Sequence, residues 1–226
     1  MSEATPKAAR KIFRGKRAFL PVARAGLDWD RLEKIRRDIS ERRANKVKYL
    51  DAEKWLARMW VEARYLNLHR LPPQRILDLG TGPGFFPYVC RLLGHEVWAL
   101  DMPGTPLYDV MCQWTGIDVV PHTITAQTSM PTFPVRFDLV NAHRVGFNAK
   151  GRQGNKILWD LDDWGFFLDD VRDNFLQPAG RLSLKMIFQT DFSGLKFDDK
   201  PLQDYFASRG GAPLTGSRYF YFDPLR

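Results

Sequence analysis

The stretch RILDLGTGPGFF, residues 75–86, decides how this chain is read. A short apolar run ends in three glycines at alternate positions, Gly80, Gly82 and Gly84, and a second apolar run follows. That pattern predicts a strand, a tight bend and a helix in succession. Glycine admits positive φ and lets backbone approach a ligand with no Cβ in the way. The helix after the bend offers free amide groups at its N-terminus, which favours a negatively charged ligand group.

Outward from this bend, apolar strands alternate with helices. Strands are predicted at RILDLG, EVWALD, DVVPHTI, FDLVNAH, GRLSLKMIF and SRYFYF. Helices are predicted at FFPYVCRLLG, TPLYDVMCQWTG, DLDDWGFFLDDVRDNFL and DKPLQDYFASRG. Mostly unbroken apolar strands between helices predict an α/β fold, doubly wound around a mostly parallel sheet covered on both faces. Pro121 weakens the third strand, because proline cannot donate to a ladder. Upstream, DWDRLEKIRRDISERRANKV and DAEKWLARMWVEARYLNL read as helices, the second with an apolar stripe of Trp55, Leu56, Met59, Trp60, Ala63 and Leu66. The LPP at 71–73 stops it. Three segments result. Residues 1–25 are expected to be basic, irregular and flexible, 26–70 a helical extension on the core, and 71–226 the α/β domain.

At 226 residues the chain can bury one large core, and its 44% hydrophobic and 27% charged content is that of a globular domain. No run of apolar residues is long enough for a membrane span. Cys90 and Cys112 form no metal or disulfide spacing and fall in predicted helices, so they are expected as buried thiols in a cytoplasmic protein. The net charge of +8 is uneven: residues 1–50 hold 15 Lys/Arg and 6 Asp/Glu, whereas the remainder is close to neutral. A basic segment suits phosphate-rich partners or an anionic membrane surface, and it is equally the solvated face of a helix and a frayed tail.

Several ligand classes are excluded by spacing. The dinucleotide fingerprint G-x-G-x-x-G fails in both registers, because Phe85 and Pro87 stand where a third glycine belongs. No Gly-Lys-Ser/Thr follows for a P-loop, no G-x-S-x-G elbow is present, and the histidines have no metal-ligand spacing, so no metal is expected. The pattern present, ILDLGTGPG, resembles motif I of the class I S-adenosylmethionine-dependent methyltransferases. HEVWALD resembles that family's second strand, MPTFPVRFDLVNAH its approach to the fourth, and FLQPAGRLSLKM the start of its fifth, over roughly residues 50–190. The resemblance implies a seven-stranded, Rossmann-like methyltransferase fold with S-adenosyl-L-methionine as cofactor. Gly80, Gly82 and Gly84, with Thr81 between them, would line the methionine part. Asp78 would steady the loop or the cofactor's ammonium, and backbone near Asn141 would face that ammonium. Asp101 would accept both ribose hydroxyls and Met102 would pack on adenine. Many family members hold the adenine amino group with an acid after the third strand; here Gln127 is the substitute candidate. Only one obvious strand, SRYFYF, stands where the family closes its sheet with an antiparallel hairpin.

Methyl transfer needs positioning above all, and an alcohol or phenol acceptor also needs a base. The stretch NAHRVGFNAKGRQGNKILWDLDDWG follows the fourth strand. There His143 is the candidate base, Arg144 a partner for an anionic substrate, and Trp159 and Trp164 either walls of an acceptor pocket or core. The glycines and cations of 146–160 suit a mobile lid, or a plain solvated connection. NAHR is not the Asn/Asp-Pro-Pro-aromatic motif of amino-group nucleic-acid methylases. The expected enzyme is therefore a methyltransferase acting on a small-molecule or sugar-like acceptor, at oxygen. The alternatives are an RNA methylase using residues 1–50, and a non-catalytic cofactor-binding module that forms a homodimer through the Trp55–Leu66 stripe.

Overall fold

A computed structural model describes residues 15–40, 47–150, 157–186, 199–214, 216 and 218–226. Its helices are α1 (Lys16–Ala25), α2 (Trp29–Ser40), α3 (Ala52–Tyr65), α4 (Phe85–Leu92), α5 (Pro106–Thr115), α6 (Leu161–Asp170) and α7 (Lys200–Ser208). Its strands are β1 (Arg75–Leu79), β2 (Glu96–Asp101), β3 (Val119–Pro121), β4 (Phe137–Val145), β5 (Asn148–Lys150), β6 (Ile157–Leu158), β7 (Leu176–Met186), β8 (Gly211–Pro213) and β9 (Tyr219–Phe222). Seven strands form one sheet in the order β3-β2-β1-β4-β7-β9-β8, and β5 and β6 pair separately. The order reverses at β1: the chain builds outward through β2 and β3, then crosses to β4 on the other side. No helix among the described residues is long and apolar enough to cross a membrane.

The chain divides into two compact units. The first holds Met1–Gln74, Thr81–Ala99 and Gly104–Val120, so α4 and α5 group with the N-terminal helices. Its core is aromatic. Phe19 of α1 stacks on Trp60 of α3 at 4.7 Å with planes 8° apart. Buried Tyr88 of α4 donates its hydroxyl to the carbonyl of Ala23 at 2.8 Å. Trp29 meets Trp114 edge to face at 5.6 Å. Asp51 caps α3 by accepting from the Lys54 amide. Residues 16–25, expected to be irregular, are helical for this reason. Pro21 inside α1 removes one helical hydrogen bond, but the buried side chains of Phe19 and Ala23 tie the helix to α3 and α4. Cys90 and Cys112 form no disulfide, and both are buried.

The second unit holds Arg75–Gly80, Leu100–Pro103 and Pro121–Arg226. Here β4 lies parallel to β1 and β7, and β9 is antiparallel to β7 and β8. Alternate residues of a strand face opposite sides. One face carries two apolar rows in register, Leu77–Val140–Leu182–Phe222 and Leu79–Ala142–Leu184–Phe220. Phe206 of α7 covers them, 5.2 Å from Phe220 and 5.6 Å from Phe222, and Trp164 of α6 packs on Phe206 at 5.1 Å. The closing hairpin, of which only the β9 strand was legible, is complete: β8 is three residues with glycine and proline, too short for an alternation to show. The β5–β6 pair lies within the expected lid, whose residues 151–156 fall outside the described ones.

The buried Tyr88 hydroxyl makes this fold sensitive to alkali. Burial pushes it up to about 12 from 10.0. Stability is therefore full below about pH 10 and declines as pH rises from there through about 12, where the folded chain too must ionise. Urea unfolding of Tyr88→Phe is expected to show a loss of about 1–2 kcal/mol at pH 8, from the unsatisfied Ala23 carbonyl, and a shallower decline between pH 10 and 12. Equal slopes for both chains would refute this.

Candidate cofactor and active site

The site begins where β1 ends. Ile76, Leu77 and Leu79 are wholly buried, so β1 is held as a central strand. The three glycines after it have φ of +66°, +58° and +76°. A Cβ on Gly80 would lie 2.6 Å from Cγ2 of Val145 on β4, too close for any side chain. At Gly84 it would meet Oγ1 of Thr115 at 2.7 Å and Sγ of Cys112 at 3.2 Å, which lets the start of α4 pack tightly on α5. Around Gly82 the nearest atom is an ordinary 3.7 Å away, on Tyr108, and the Gly82 carbonyl accepts a hydrogen bond from the Cys112 thiol. Thr81 is buried in the same bend.

The second strand delivers an acid to the same place. The Gly80 amide donates to the Leu100 carbonyl at 2.7 Å, so Asp101 stands one residue beyond the partner of the bend. One Asp101 carboxylate oxygen accepts the Met102 amide at 2.7 Å, and its carbonyl accepts the His122 amide at 2.8 Å. Met102 leaves 57% of its surface exposed, an unusual exposure for a large apolar side chain.

Across the strand-order reversal, β1 and β4 pair Asp78 with Asn141. Asn141 donates Nδ2–H to the Asp78 carboxylate at 2.8 Å; the two residues are 0% and 2% exposed. That bond turns Asn141 Oδ1 away from Asp78, and this buried oxygen accepts no hydrogen bond among the described residues. The row continues in register to Ser183 on β7 and Tyr221 on β9. Two residues further along β4, half-buried His143 pairs with Lys185 of β7. The register then shifts: Arg144 bulges outward with φ +63°, and Val145 swings over Gly80.

Gln127, exposed and at φ +53°, donates Nε2–H to Asp163 of α6 at 3.1 Å, a bond that does not use its carbonyl oxygen. Trp159 and Trp164 are each 1% exposed and stand 5.1 Å apart in a cluster with Phe147 and Phe167. Ser183, Lys185 and Tyr219 share the polar face and were not singled out from the sequence. Their signal is the alternation of polar and apolar residues in SLK and YFYF.

No family model and no curated protein matches the sequence. Among solved structures, the chain is similar to DesVI of Streptomyces venezuelae, with a TM-score of 0.51 and 11% identity over 76% of this chain and 92% of that one. A TehB-like SAM-dependent methyltransferase from Corynebacterium glutamicum gives 0.49 and 18% identity over 72% and 87%. The Burkholderia thailandensis 1,6-didemethyltoxoflavin-N1-methyltransferase, solved with that substrate and S-adenosylhomocysteine, gives 0.43 and 15% over 98% and 90%. At such identities the likeness is one of fold, and the fold class is the expected one: a Rossmann-like α/β sheet of seven strands.

The Gly80–Val145 contact separates two reasons for a glycine. Gly80→Ala is expected to destabilise the chain through both the left-handed backbone, about 1–2 kcal/mol, and the clash with Val145. Adding Val145→Ala should recover the clash part alone, so a double-mutant cycle by urea unfolding is expected to show a coupling that favours the pair. Simple additivity would show that the contact does not matter.

Proposed function

We propose that the chain is an S-adenosylmethionine-dependent methyltransferase of the class I family, acting on a small-molecule or sugar-like acceptor. The observation that carries this reading is Asn141 Oδ1, a buried acceptor with no partner among the described residues, beside the Asp78 carboxylate and the glycine bend. A buried polar atom of this kind costs stability unless a ligand or water satisfies it. The ammonium of an amino-acid tail supplies N–H donors for Asn141 and positive charge for Asp78, so these residues fit the group. The fold shared with DesVI and the motif-I pattern support the same reading.

In this arrangement the bend at Gly80–Gly84 gives backbone for the methionine part to lie against. Asp101 accepts the ribose hydroxyls, Met102 covers one face of the adenine, and Gln127 offers its carbonyl to the amino group. The cofactor supplies an activated methyl on a sulfonium with its own leaving group. The chain has to hold the acceptor in line and exclude water. His143, at the carboxyl end of β4, would take the proton of an acceptor hydroxyl, and this role supports oxygen as the methylated atom.

Calorimetry with two ligands tests the cofactor site. Asp101→Ala is expected to weaken S-adenosylhomocysteine by about tenfold or more. Asn141→Leu is expected to weaken S-adenosylhomocysteine similarly, yet leave 5′-methylthioadenosine, which lacks the amino-acid tail, unchanged. Unaltered binding in Asp101→Ala would remove the cofactor assignment; equal losses for both ligands in Asn141→Leu would remove the role given to Asn141. The charge of residues 1–50 favours a second reading, an RNA acceptor; salt-sensitive RNA binding, lost on removal of residues 1–25, would replace the small-molecule reading.

A further inference from the structure

Residues 122–136, between β3 and β4, form no helix, and two buried carboxylates of α6 hold them in place. Asp163 and Asp170 are seven positions apart, about two turns, and so lie on one face of α6. Asp170 Oδ2 accepts the Met130 amide at 3.1 Å, and Asp163 Oδ1 accepts Nε2–H of Gln127 at the same distance. The other Asp163 oxygen, Oδ2, accepts the Asp160 amide at 3.2 Å and completes the capping box of α6. A carboxylate removed from water has to be met by donors, and both oxygens of Asp163 are.

Backbone conformation is no reason for a glutamine at 127. Its φ of +53° lies in the left-handed region, which glycine enters freely and glutamine only with strain. What glutamine adds is an amide with two unlike ends, one that donates and one that accepts. An unrestrained amide turns over and presents either end. A carboxylate only accepts, so Asp163 draws the NH2 end and fixes which way round the Gln127 amide sits.

We propose that Asp163 is a positioning residue which, by fixing that amide, makes the nucleoside site select a 6-amino purine over a 6-oxo purine. The proposal rests on the methyltransferase reading, in which the Gln127 carbonyl accepts from the adenine amino group. With the amide held by Asp163, Gln127 offers an acceptor, which pairs with the amino group of adenine and repels the carbonyl of hypoxanthine. In Asp163→Asn the Asp160 amide still takes the side-chain carbonyl, so the new NH2 is turned to Gln127. Gln127 then meets it with its own carbonyl and presents NH2 to the base, which suits the 6-oxo purine.

Calorimetry on the full chain with S-adenosylhomocysteine and its 6-oxo analogue, S-inosylhomocysteine, tests this. The unaltered chain is expected to bind the adenine compound about tenfold more tightly. In Asp163→Asn the preference is expected to be lost or reversed. Gln127→Glu, which changes no residue of α6, is expected to lose it too, because two carboxylates then meet. The double variant Gln127→Glu with Asp163→Asn is expected to regain it, since the carboxylate at 127 accepts from the asparagine on one side and from adenine on the other. A merely structural contact would weaken both compounds alike and leave their ratio unmoved. A preference that survives either single variant, or that fails to return in the double variant, would overturn the proposal. Equal binding of the two compounds by the unaltered chain would overturn the proposal and leave the methyltransferase reading standing; binding of neither would overturn both.

Discussion

The hydrogen bond from Asn141 to Asp78 is the constraint on which the second unit depends. It joins the two strands between which strand order reverses, and it does so with a carboxylate almost fully removed from water. Burying a carboxylate is expensive unless donors surround it. Asparagine supplies a donor from the paired strand, and because Nδ2 is committed, its oxygen has a fixed direction. A leucine at 141 would keep the branched shape but withdraw a donor from Asp78. The choice of asparagine in the middle of FDLVNAH is therefore a choice about chemistry, made at a position that packing alone would fill with an apolar side chain.

The same pairing fixes the register of the sheet. Leu77–Val140–Leu182–Phe222 lies on one face and Asp78–Asn141–Ser183–Tyr221 on the other, one residue apart. A slip of one residue between β1 and β4 would set Asp78 against Val140 or Ala142 and move apolar side chains onto the polar face. The error would cost both the apolar contacts and the satisfaction of a buried charge. Register and the buried polar row are thus specified together, and the row works against mispairing. The aromatic cover of Phe206 over Phe220 and Phe222 secures the opposite face, so each side of β9 serves a different purpose within the tetrapeptide YFYF.

Much of this was legible in residue order. β2 occupies EVWALD as read, and β1, α3, α4 and α5 depart from their expected spans by a few residues at their ends. These elements are long or strongly patterned, and glycine or proline marks their limits. What escaped notice was short or decided by contacts distant in sequence. α1 is concealed by Pro21 and stabilised by Trp60 and Tyr88, which lie some forty and sixty-five positions later. β8 has three residues, β6 two, and neither can display a period. The glycine bend after β1 and the acid that ends β2 could be read because their spacing is local. The alternation in SLK and YFYF puts Ser183, Lys185 and Tyr219 on polar faces, but only the register of β4, β7 and β9 brings them into line with Asn141 and His143.

The glycine bend shows how fold and chemistry divide a motif between them. Gly84 lacks a side chain because α5 is in the way, and Gly80 lacks one because Val145 is. Val145 is there only because β4 bulges at Arg144, a non-glycine residue held at φ +63° at a cost of about 1–2 kcal/mol. Without that bulge β4 would continue in plain register beside β7, and Arg144 would not be turned out of the ladder. The strain at Arg144, the crowding at Gly80 and the outward turn of a cation beside His143 are consequences of one irregularity. Gly82 is different: Tyr108 lies at ordinary contact distance and leaves room for a Cβ. Of the three glycines it is the one whose missing side chain crowding does not account for; there the left-handed backbone at φ +58° alone favours glycine.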